Sequence, residues 1–198
     1  MTLPFNNRLC IGEDIERAAA EYIVQHLAAD VEKIGTLETD TNKPLTWRNI
    51  DGASRRLIAP DLNIYKDGLY FSAQVKHKDT VIYADSYVGK QCFYFDVKEH
   101  TRLSRLNHSR PCVLIIHCPK LPDLTALHPE LPTFPDPYIF VEMDTLEPNQ
   151  TLLHRRHIEG KDAFVLPLAL FKPLTELFNR KVQNAPANIN AIPATATV

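Results

Sequence analysis

Residues 60–78, PDLNIYKDGLYFSAQVKHK, decide the fold that we expect for this chain. Polar and apolar side chains alternate along residues 61–65 and again along residues 69–78, which is the pattern of half-buried strands. Asp67 and Gly68 lie between the two segments, and Asp-Gly is a preferred sequence for a two-residue hairpin turn. The stretch therefore predicts a β-hairpin with one apolar and one polar face.

The turn fixes which side chains face each other. A two-residue loop pairs Lys66 with Leu69, and in the same register Asp61 lies opposite Gln74, with facing Cβ atoms about 5 Å apart. One face then carries the apolar residues Leu62, Ile64, Phe71, Ala73 and Val75. The other face gathers Asp61, Asn63, Ser72, Gln74, Lys76 and Lys78.

The polar face has the chemistry of metal-assisted phosphodiester hydrolysis. Asp61 would supply a carboxylate oxygen, Gln74 its side-chain oxygen and Val75 its backbone carbonyl, and such hard oxygen ligands suit Mg²⁺. We therefore expect Mg²⁺ (or Mn²⁺) as the cofactor, because such a cation activates phosphate esters. Lys76 would orient the attacking water or stabilise charge on the phosphoryl oxygens.

The flanking segments predict an α/β domain with a mixed sheet between helices. Upstream, we expect a helix at residues 11–27, whose first turns carry acidic residues that interact favourably with the helix dipole. We expect a strand at residues 31–37, and loops or a short hairpin at residues 38–56. The helix should bury Ile11, Ile15, Ala18, Ala19, Tyr22, Ile23 and Leu27. Downstream, Asp96 and Glu99 form a capping box that begins a helix ending near Asn107. The apolar run at 112–118 is a strand covered on both faces.

The second half of the chain carries weaker signals. Six prolines between residues 119 and 137 predict an extended surface loop. Beyond it we expect strands at 138–143 and 163–169, a short helix at 174–181, and a tail or arm at 182–198. Residues 1–181 are thus predicted to be a single domain, with its motif region at 11–118 and its C-terminal strands and helix at 138–181.

Composition narrows the classes of protein that need considering. The chain has 198 residues and a net charge of −2, which excludes a strongly basic nucleic-acid coat but leaves room for a local basic cleft. No apolar run approaches the ~20 residues of a membrane span, and the N-terminus has no signal-peptide core. We expect a cytoplasmic protein with no membrane association, whose four cysteines are buried free thiols.

The motif residues resemble the PD-(D/E)XK nuclease superfamily, which has the restriction-endonuclease-like fold. Pro60-Asp61, followed after a hairpin by Gln74-Val75-Lys76, is similar to its signature. Gly12-x-x-x-Glu16-Arg17 looks like the first-helix motif of Holliday-junction resolvases and Mrr-type restriction enzymes. The Gln-x-Lys ending is similar to the Mrr-like branch and to uncharacterised bacterial and mobile-element domains. The resemblance covers about residues 11–118.

The resemblance implies a divalent-metal-dependent DNA endonuclease that acts in defence or DNA processing. It also implies that Glu16 is a further acidic metal ligand, although Glu16 could equally be a solvated or dipole-stabilising helix residue. Gln74 departs from the usual Asp or Glu, which leaves two acids rather than three and predicts weaker metal binding. The alternatives are a catalytically weakened module that binds DNA or a protein, and an interaction protein that docks through residues 119–137.

DNA is the expected partner, and several residues are candidates for contacting it. They are Lys78, Trp47, Arg48, Arg55, Arg56, Arg102 and Arg105. Arginines on the second helix would contact phosphates or form a solvated face, and Trp47 would stack on a base or anchor the core. The sequence leaves open whether the chain works as a homodimer or with a partner subunit.

Overall fold

The computed structural model describes residues 5–33, 46–48, 54–56, 60–79, 82–83, 91–123, 133–146, 148, 151–153 and 163–179. Only the backbone is described at 5–11, 46–48, 54–56, 82–83, 91–92 and 151–153. The expected tail at 182–198, the middle of the Pro-rich segment and most of the residues between 34 and 59 lie outside these ranges.

The described residues form strands that are interrupted by short and long helices. In order they are α1 (Phe5–Leu27), β1 (Asp30–Lys33), β2 (Thr46–Arg48), β3 (Ser54–Arg56), β4 (Leu62–Lys66), β5 (Leu69–His77), β6 (Ile82–Tyr83), β7 (Gln91–Asp96), α2 (Val97–Asn107), β8 (Cys112–His117), β9 (Tyr138–Glu142), α3 (Met143–Leu146), β10 (Thr151–Leu153), β11 (Ala163–Pro167) and β12 (Lys172–Pro173). Short 3₁₀ turns follow β11 and β12.

A six-stranded mixed sheet forms the centre of the fold. Its strand order is β1-β4-β5-β8-β9-β12. Strands β5 and β8 are parallel, and the other neighbours are antiparallel. The chain passes from β5 to β8 through β6, β7 and α2, because parallel neighbours require a crossover connection. The mixed α/β class that the sequence predicts is confirmed.

Two hydrophobic cores hold this sheet between its flanking layers. On one face, Ala19, Ile23 and Leu27 of α1 pack with the apolar side of β4 and β5. On the other face, Leu103 of α2 packs with Leu114 of β8 and with buried residues of β7 and β11. Strand β8 therefore alternates between the two cores, with five consecutive buried residues, as a strand covered on both faces requires.

The predicted hairpin is present in the predicted register. Lys66 pairs with Leu69 and Asn63 with Ser72. Asp67 and Gly68 both have positive φ, 50° and 78°, and a type I′ turn needs positive φ at both central positions. All five residues expected on the apolar face are buried. The sequence therefore determines the register on which the site depends.

The first helix differs from its prediction at its start and on one face. It begins at Phe5 rather than Ile11 and has no acidic residue in its first turn. The dipole explanation for the acidic residues, including Glu16, is therefore wrong. Ala18 is exposed, because the buried stripe runs through Ala19 and Ile23 at four-residue spacing, and Ala18 is one position off that stripe.

Several expectations for the later segments also need correction. The Pro-rich segment is not wholly on the surface, because Leu121 and Phe134 are buried in the α2-side core. The strand expected at 138–143 ends at Glu142, where α3 begins. The strand expected at 163–169 ends at Pro167. The helix expected from Leu174 is only a 3₁₀ turn.

The sequence analysis did not predict a second sheet, which has the strand order β10-β11-β7-β6. The expected short hairpin at 38–56 is confirmed as the antiparallel pair β2 and β3. Within the described ranges, no helix is long and apolar enough to cross a membrane. Cys112 and Cys118 are buried free thiols, as predicted.

Candidate functional site

Asp61 is fixed across the hairpin by hydrogen bonds to β5. It lies immediately before β4, and its backbone N–H donates to the carbonyl of Ala73 at 2.9 Å. Its Oδ2 accepts the backbone N–H of Val75 at 2.7 Å and the side-chain amide of Gln74. The carboxylate therefore stands opposite Gln74, as the predicted register requires.

Gln74 and Val75 present donors to Asp61, whereas the sequence analysis assigned them acceptor roles. The amide nitrogen of Gln74 faces Asp61, so ligation through the amide oxygen would require this side chain to rotate. Val75 contacts the carboxylate through its N–H rather than through its carbonyl. Both contacts stabilise the ionised form of Asp61, because hydrogen bonds to a carboxylate favour its charge.

Lys76 continues the same face of β5 and contacts the start of α2. Its Nζ lies 2.9 Å from Oε1 of Glu99. The side chains of Lys76 and Glu99 are 27% and 38% exposed, so this ion pair is partly accessible to solvent. Asp96 fixes the beginning of α2 by accepting the N–H groups of Lys98 and Glu99, at 2.8 and 3.3 Å. The predicted N-cap is therefore confirmed.

Glu99 is a site residue that the sequence analysis missed. In the sequence it is only the acid of a capping box, and Lys76 precedes it by 23 positions. No local pattern connects the two residues, because their contact depends on how α2 docks on the sheet. The sequence offers one signal for Glu99, which is that it is an acidic residue in the first turn of the predicted helix.

Glu16 reaches the same region from the opposite side of the sheet. Its Oε2 lies 3.4 Å from Nζ of Lys33, and its side chain is only 17% exposed. Lys33 pairs with Leu62, the residue next to Asp61. Glu16 of α1 is thus tied through Lys33 to the strand pair β1–β4, and its role as a metal ligand stays a prediction.

The electrostatics of Asp61 show that these charges share one environment. Burial raises the pKa of Asp61 to about 7, and the hydrogen bond from Val75 opposes this shift. The negative charges of Glu16 and Glu99 raise the pKa further, whereas the positive charge of Lys76 lowers it. A half-buried carboxyl with a strongly shifted pKa beside charged partners is typical of functional sites.

The donor set fits a hard divalent cation by its chemistry. Asp61, Glu16 and Glu99 carry carboxylates and Gln74 carries an amide oxygen, and Mg²⁺ and Mn²⁺ prefer such oxygen ligands. As they stand, the described His, Cys, Asp and Glu residues form no group of three that could hold a metal ion. Lys33 and Lys76 each pair with one of the carboxylates. A cation at this site would therefore compete with two ammonium groups.

A buried polar network extends the site along the hairpin. Tyr70 Oη donates to Oδ1 of Asn63 at 2.9 Å and hydrogen bonds to Ser72 Oγ at 2.9 Å. Arg110 donates to the same hydroxyl at 2.9 Å, and Asn63 Nδ2 donates to Glu32 at 3.0 Å. Asn63 and Ser72 are buried, so this network stabilises the two strands that carry the site.

The candidate DNA-contacting residues lie in three parts of the fold. Trp47, Arg48, Arg55 and Arg56 lie in the β2–β3 hairpin, and their side chains lie outside the described part. On α2, Arg102 is half-buried and Arg105 is exposed. Arg102 follows Glu99 by three residues, so it shares that side of the helix. Lys78 directly follows β5, and its N–H donates to the carbonyl of His117.

The architecture and site define a mixed α/β protein with an acidic and basic cluster on a β-hairpin. No protein-family model and no curated protein matches the chain. Among solved structures, it is similar to Hjc, a Holliday junction resolvase from Archaeoglobus fulgidus, with 12% identity and a TM-score of 0.41, covering 80% of this chain and 97% of that chain. It is also similar to D212, a nuclease from a fusselovirus, with 11% identity and a TM-score of 0.39, covering 89% of this chain and 92% of that chain. These likenesses are distant, so the function proposed below rests on the residues of this chain.

Proposed function

We propose that this chain is a divalent-metal-dependent DNA endonuclease of the restriction-endonuclease-like class. One observation carries the proposal: Oδ2 of Asp61 contacts the Gln74 amide and accepts the backbone N–H of Val75 at 2.7 Å, so this carboxylate lies beside the strand that carries Lys76. The proximity of these residues supports the role that the sequence motifs predict for them.

Each residue has a distinct role in this proposal. Asp61 and Glu16 would hold Mg²⁺ or Mn²⁺, and Gln74 would add its amide oxygen after rotation. The bound cation would supply Lewis acidity to the scissile phosphate. The ammonium of Lys76 would stabilise negative charge on the phosphoryl oxygens or orient the attacking water. Lys76 is placed for this role because it follows Gln74 by two residues and so lies on the same face of β5.

The second candidate is a catalytically weakened module that binds DNA or a protein partner. The contact between the Gln74 amide nitrogen and Asp61 favours it, since this donor takes an oxygen that a cation would need. Such a module would bind DNA in a salt-dependent way without cleaving it.

A cleavage assay separates the two candidates. The substrates are supercoiled plasmid, single-stranded DNA and a four-way junction, each with Mg²⁺, Mn²⁺ or EDTA. We expect the wild type to cleave at least one substrate in a metal-dependent way, and Lys76→Ala to lose at least about 100-fold in rate. The matched control is Lys172→Ala, an exposed lysine on β12 at the opposite edge of the sheet.

The outcome is decisive for either candidate. Cleavage by Lys76→Ala at the same rate as by the wild type and Lys172→Ala would remove the assigned role of Lys76. Binding of DNA by folded wild-type protein, with no cleavage on any substrate in either metal, would support the weakened module instead.

A further inference from the structure

We infer that the polar face of the hairpin binds a single DNA strand, with Tyr65 stacking on an unpaired base and Arg110 contacting a phosphate. The inference rests on the proposed function and deepens it, because it names the class of substrate: DNA that exposes an unpaired strand beside the site. It is carried by a pair of tyrosines near the turn, by a guanidinium without a carboxylate partner among the described residues, and by the distribution of charge across the face.

Two tyrosines lie together at the turn end of this face. Tyr65 and Tyr70 are opposite each other in the register, and their ring centroids are 5.0 Å apart with an angle of 35° between the planes. Tyr65 follows Asn63 by two residues on β4, so it lies on the same face as the site, and it is 39% exposed. An exposed ring that a neighbouring ring holds in place is suited to stacking on a base.

Arg110 brings a positive charge to the same end of the face. Its Nη1 donates to the Tyr70 hydroxyl at 2.9 Å, and the residue is half-buried. No carboxylate in the described part of the chain forms an ion pair with it. A guanidinium presents five N–H donors in a planar fork that matches a phosphate. The contact with Tyr70 orients this fork beside the two tyrosine rings, so its charge favours a phosphate there.

Charge is distributed unevenly across the face. Arg110 directly precedes the β8 segment and Lys76 lies on β5, so these cations are on the side nearest β8 and α2. Asp30 and Glu32 lie on β1, which pairs with the strand that carries Tyr65, so the edge strand is acidic. A DNA strand is therefore favoured with its phosphates towards Arg110 and with a base over Tyr65.

The acidic edge disfavours a duplex on this face. Strands β1 and β5 are separated only by β4, which places them about 10 Å apart. The grooves of B-DNA are about 6 and 12 Å wide, so a duplex with one backbone at Arg110 would bring its second backbone close to Asp30 and Glu32. Repulsion between these carboxylates and the phosphates weakens such binding. A single strand has no second backbone and avoids this repulsion.

The tyrosine pair lies at a defined distance from Asp61. Four residues of β5 separate Tyr70 from Gln74, whose side chain contacts Asp61, and four residues of strand span about 13 Å. Each DNA strand carries one phosphate for about 3.4 Å of duplex axis. A strand held by Arg110 therefore reaches Asp61 within about four nucleotides, so a short unpaired stretch beside the cleavage position is sufficient.

The test measures DNA binding by fluorescence anisotropy in EDTA, so that binding is observed without cleavage. The probes are a labelled single-stranded oligonucleotide and the duplex of the same sequence, each titrated at several salt concentrations. The variants are Arg110→Gln, Tyr65→Ala and Tyr65→Phe. The charge-matched control is Lys172→Gln, at an exposed position on β12 at the opposite edge of the sheet.

We expect the wild type to bind the single strand more tightly than the duplex. Arg110→Gln should weaken single-strand binding and reduce the slope of log K against log salt by about 0.7, the value for one phosphate contact. Tyr65→Ala should weaken binding by roughly 5- to 150-fold without changing that slope, whereas Tyr65→Phe should keep the wild-type affinity. Lys172→Gln should not differ from the wild type.

Each part of the inference can fail separately from the proposed function. An unchanged salt slope in Arg110→Gln would overturn the phosphate contact, and equal affinities of Tyr65→Ala and the wild type would overturn the stacking. Tighter wild-type binding of the duplex than of the single strand would overturn the class of substrate. In all three cases metal-dependent cleavage by the wild type would leave the nuclease intact. A wild type that neither binds nor cleaves DNA would overturn both.

A photo-crosslink on the wild type makes the test independent of how the variants fold, since Arg110→Gln removes a hydrogen bond to Tyr70. Single-stranded DNA that carries 5-iodouracil forms a covalent bond on irradiation with an aromatic side chain stacked on that base. Mass spectrometry of the cross-linked peptides should place the adduct on Tyr65. Adducts confined to peptides that contain neither Tyr65 nor Tyr70 would overturn the inference.

Discussion

The backbone N–H of Val75 donates to Oδ2 of Asp61 at 2.7 Å, which ties the carboxylate to the main chain of the neighbouring strand. Main-chain groups in a sheet are held by the ladder itself, so this contact makes the position of the carboxylate a property of the hairpin register. The most important side chain of the site is therefore placed by secondary structure.

Asp61→Asn should abolish the stabilisation of the protein by Mn²⁺. A ligand that binds only the folded state adds about 2.7 kcal/mol to the free energy of unfolding at 100 times its Kd. We expect a rise in the wild-type melting temperature with Mn²⁺ and no rise in Asp61→Asn. Asp123→Asn, at an exposed position, is the control, and an equal rise in both variants would show that Mn²⁺ binds elsewhere.

The stability of the metal-free protein should reveal the raised pKa of Asp61. In the folded state this pKa is about 7, against an ordinary value of 3.8, so the folded state binds more protons between these values. The contribution of Asp61 to the free energy of unfolding is therefore fully present below about pH 4 and is lost as pH rises through 7.

Comparison with Asp61→Asn isolates this effect. We expect the stability of the wild type relative to Asp61→Asn to fall between about pH 4 and 7 in EDTA, by at most about 1.4 kcal/mol per pH unit. Burial and His77 lower the pKa of His117, but this histidine titrates in both proteins and cancels in the difference. A difference that does not change with pH would refute the raised pKa.

Lys33→Met should tighten Mn²⁺ binding. The Lys33 ammonium lies 3.4 Å from Oε2 of Glu16, so it competes with a cation for that carboxylate. An exposed ion pair is worth up to about 1 kcal/mol, which corresponds to a gain of roughly two- to fivefold in affinity. Titration of metal-free protein checks this, with Lys120→Met, at another exposed lysine, as the control. Weaker binding in Lys33→Met would show that Lys33 positions Glu16 for the cation instead.

Tyr70→Phe should destabilise the hairpin far more than Tyr65→Phe. The Tyr70 hydroxyl connects Asn63, Ser72 and Arg110. Its loss removes these hydrogen bonds, one of them from a charged guanidinium, and leaves only the longer Ser72–Asn63 bond of 3.3 Å, so we expect a cost of about 1–3 kcal/mol. Tyr65 is 39% exposed, and its hydroxyl makes one contact of 3.4 Å with Glu32. Urea unfolding of both variants measures the difference, and equal stabilities would mean that water replaces the network.

The hairpin and its polar face could be predicted because the information is local. Alternation of side chains and the Asp67-Gly68 turn fix the register, and the register places Asp61 opposite Gln74. The N-cap at Asp96 is likewise read from a few neighbouring residues. Each of these features depends on the backbone geometry of adjacent positions and not on how distant elements dock.

The second sheet and the contact between Glu99 and Lys76 were missed for the opposite reason. Strand β7 pairs with β11, which lies far along the chain, and a strand pairing of this kind leaves no periodic signal of its own. Helix α1 was predicted, but Ala18 was wrongly assigned to its buried face. Ala18 is apolar but lies one position off the buried stripe through Ala19 and Ile23.

The sequence by itself determined the mixed α/β class, the hairpin register and the placement of Asp61, Gln74 and Lys76 on one face. Only the tertiary structure decided that Glu16 approaches this face from α1 and Glu99 from α2, and that lysines hold both carboxylates. The physical reason is that strand periodicity is encoded in neighbouring residues. The charge around Asp61, by contrast, depends on three-dimensional packing that brings together residues from distant parts of the chain.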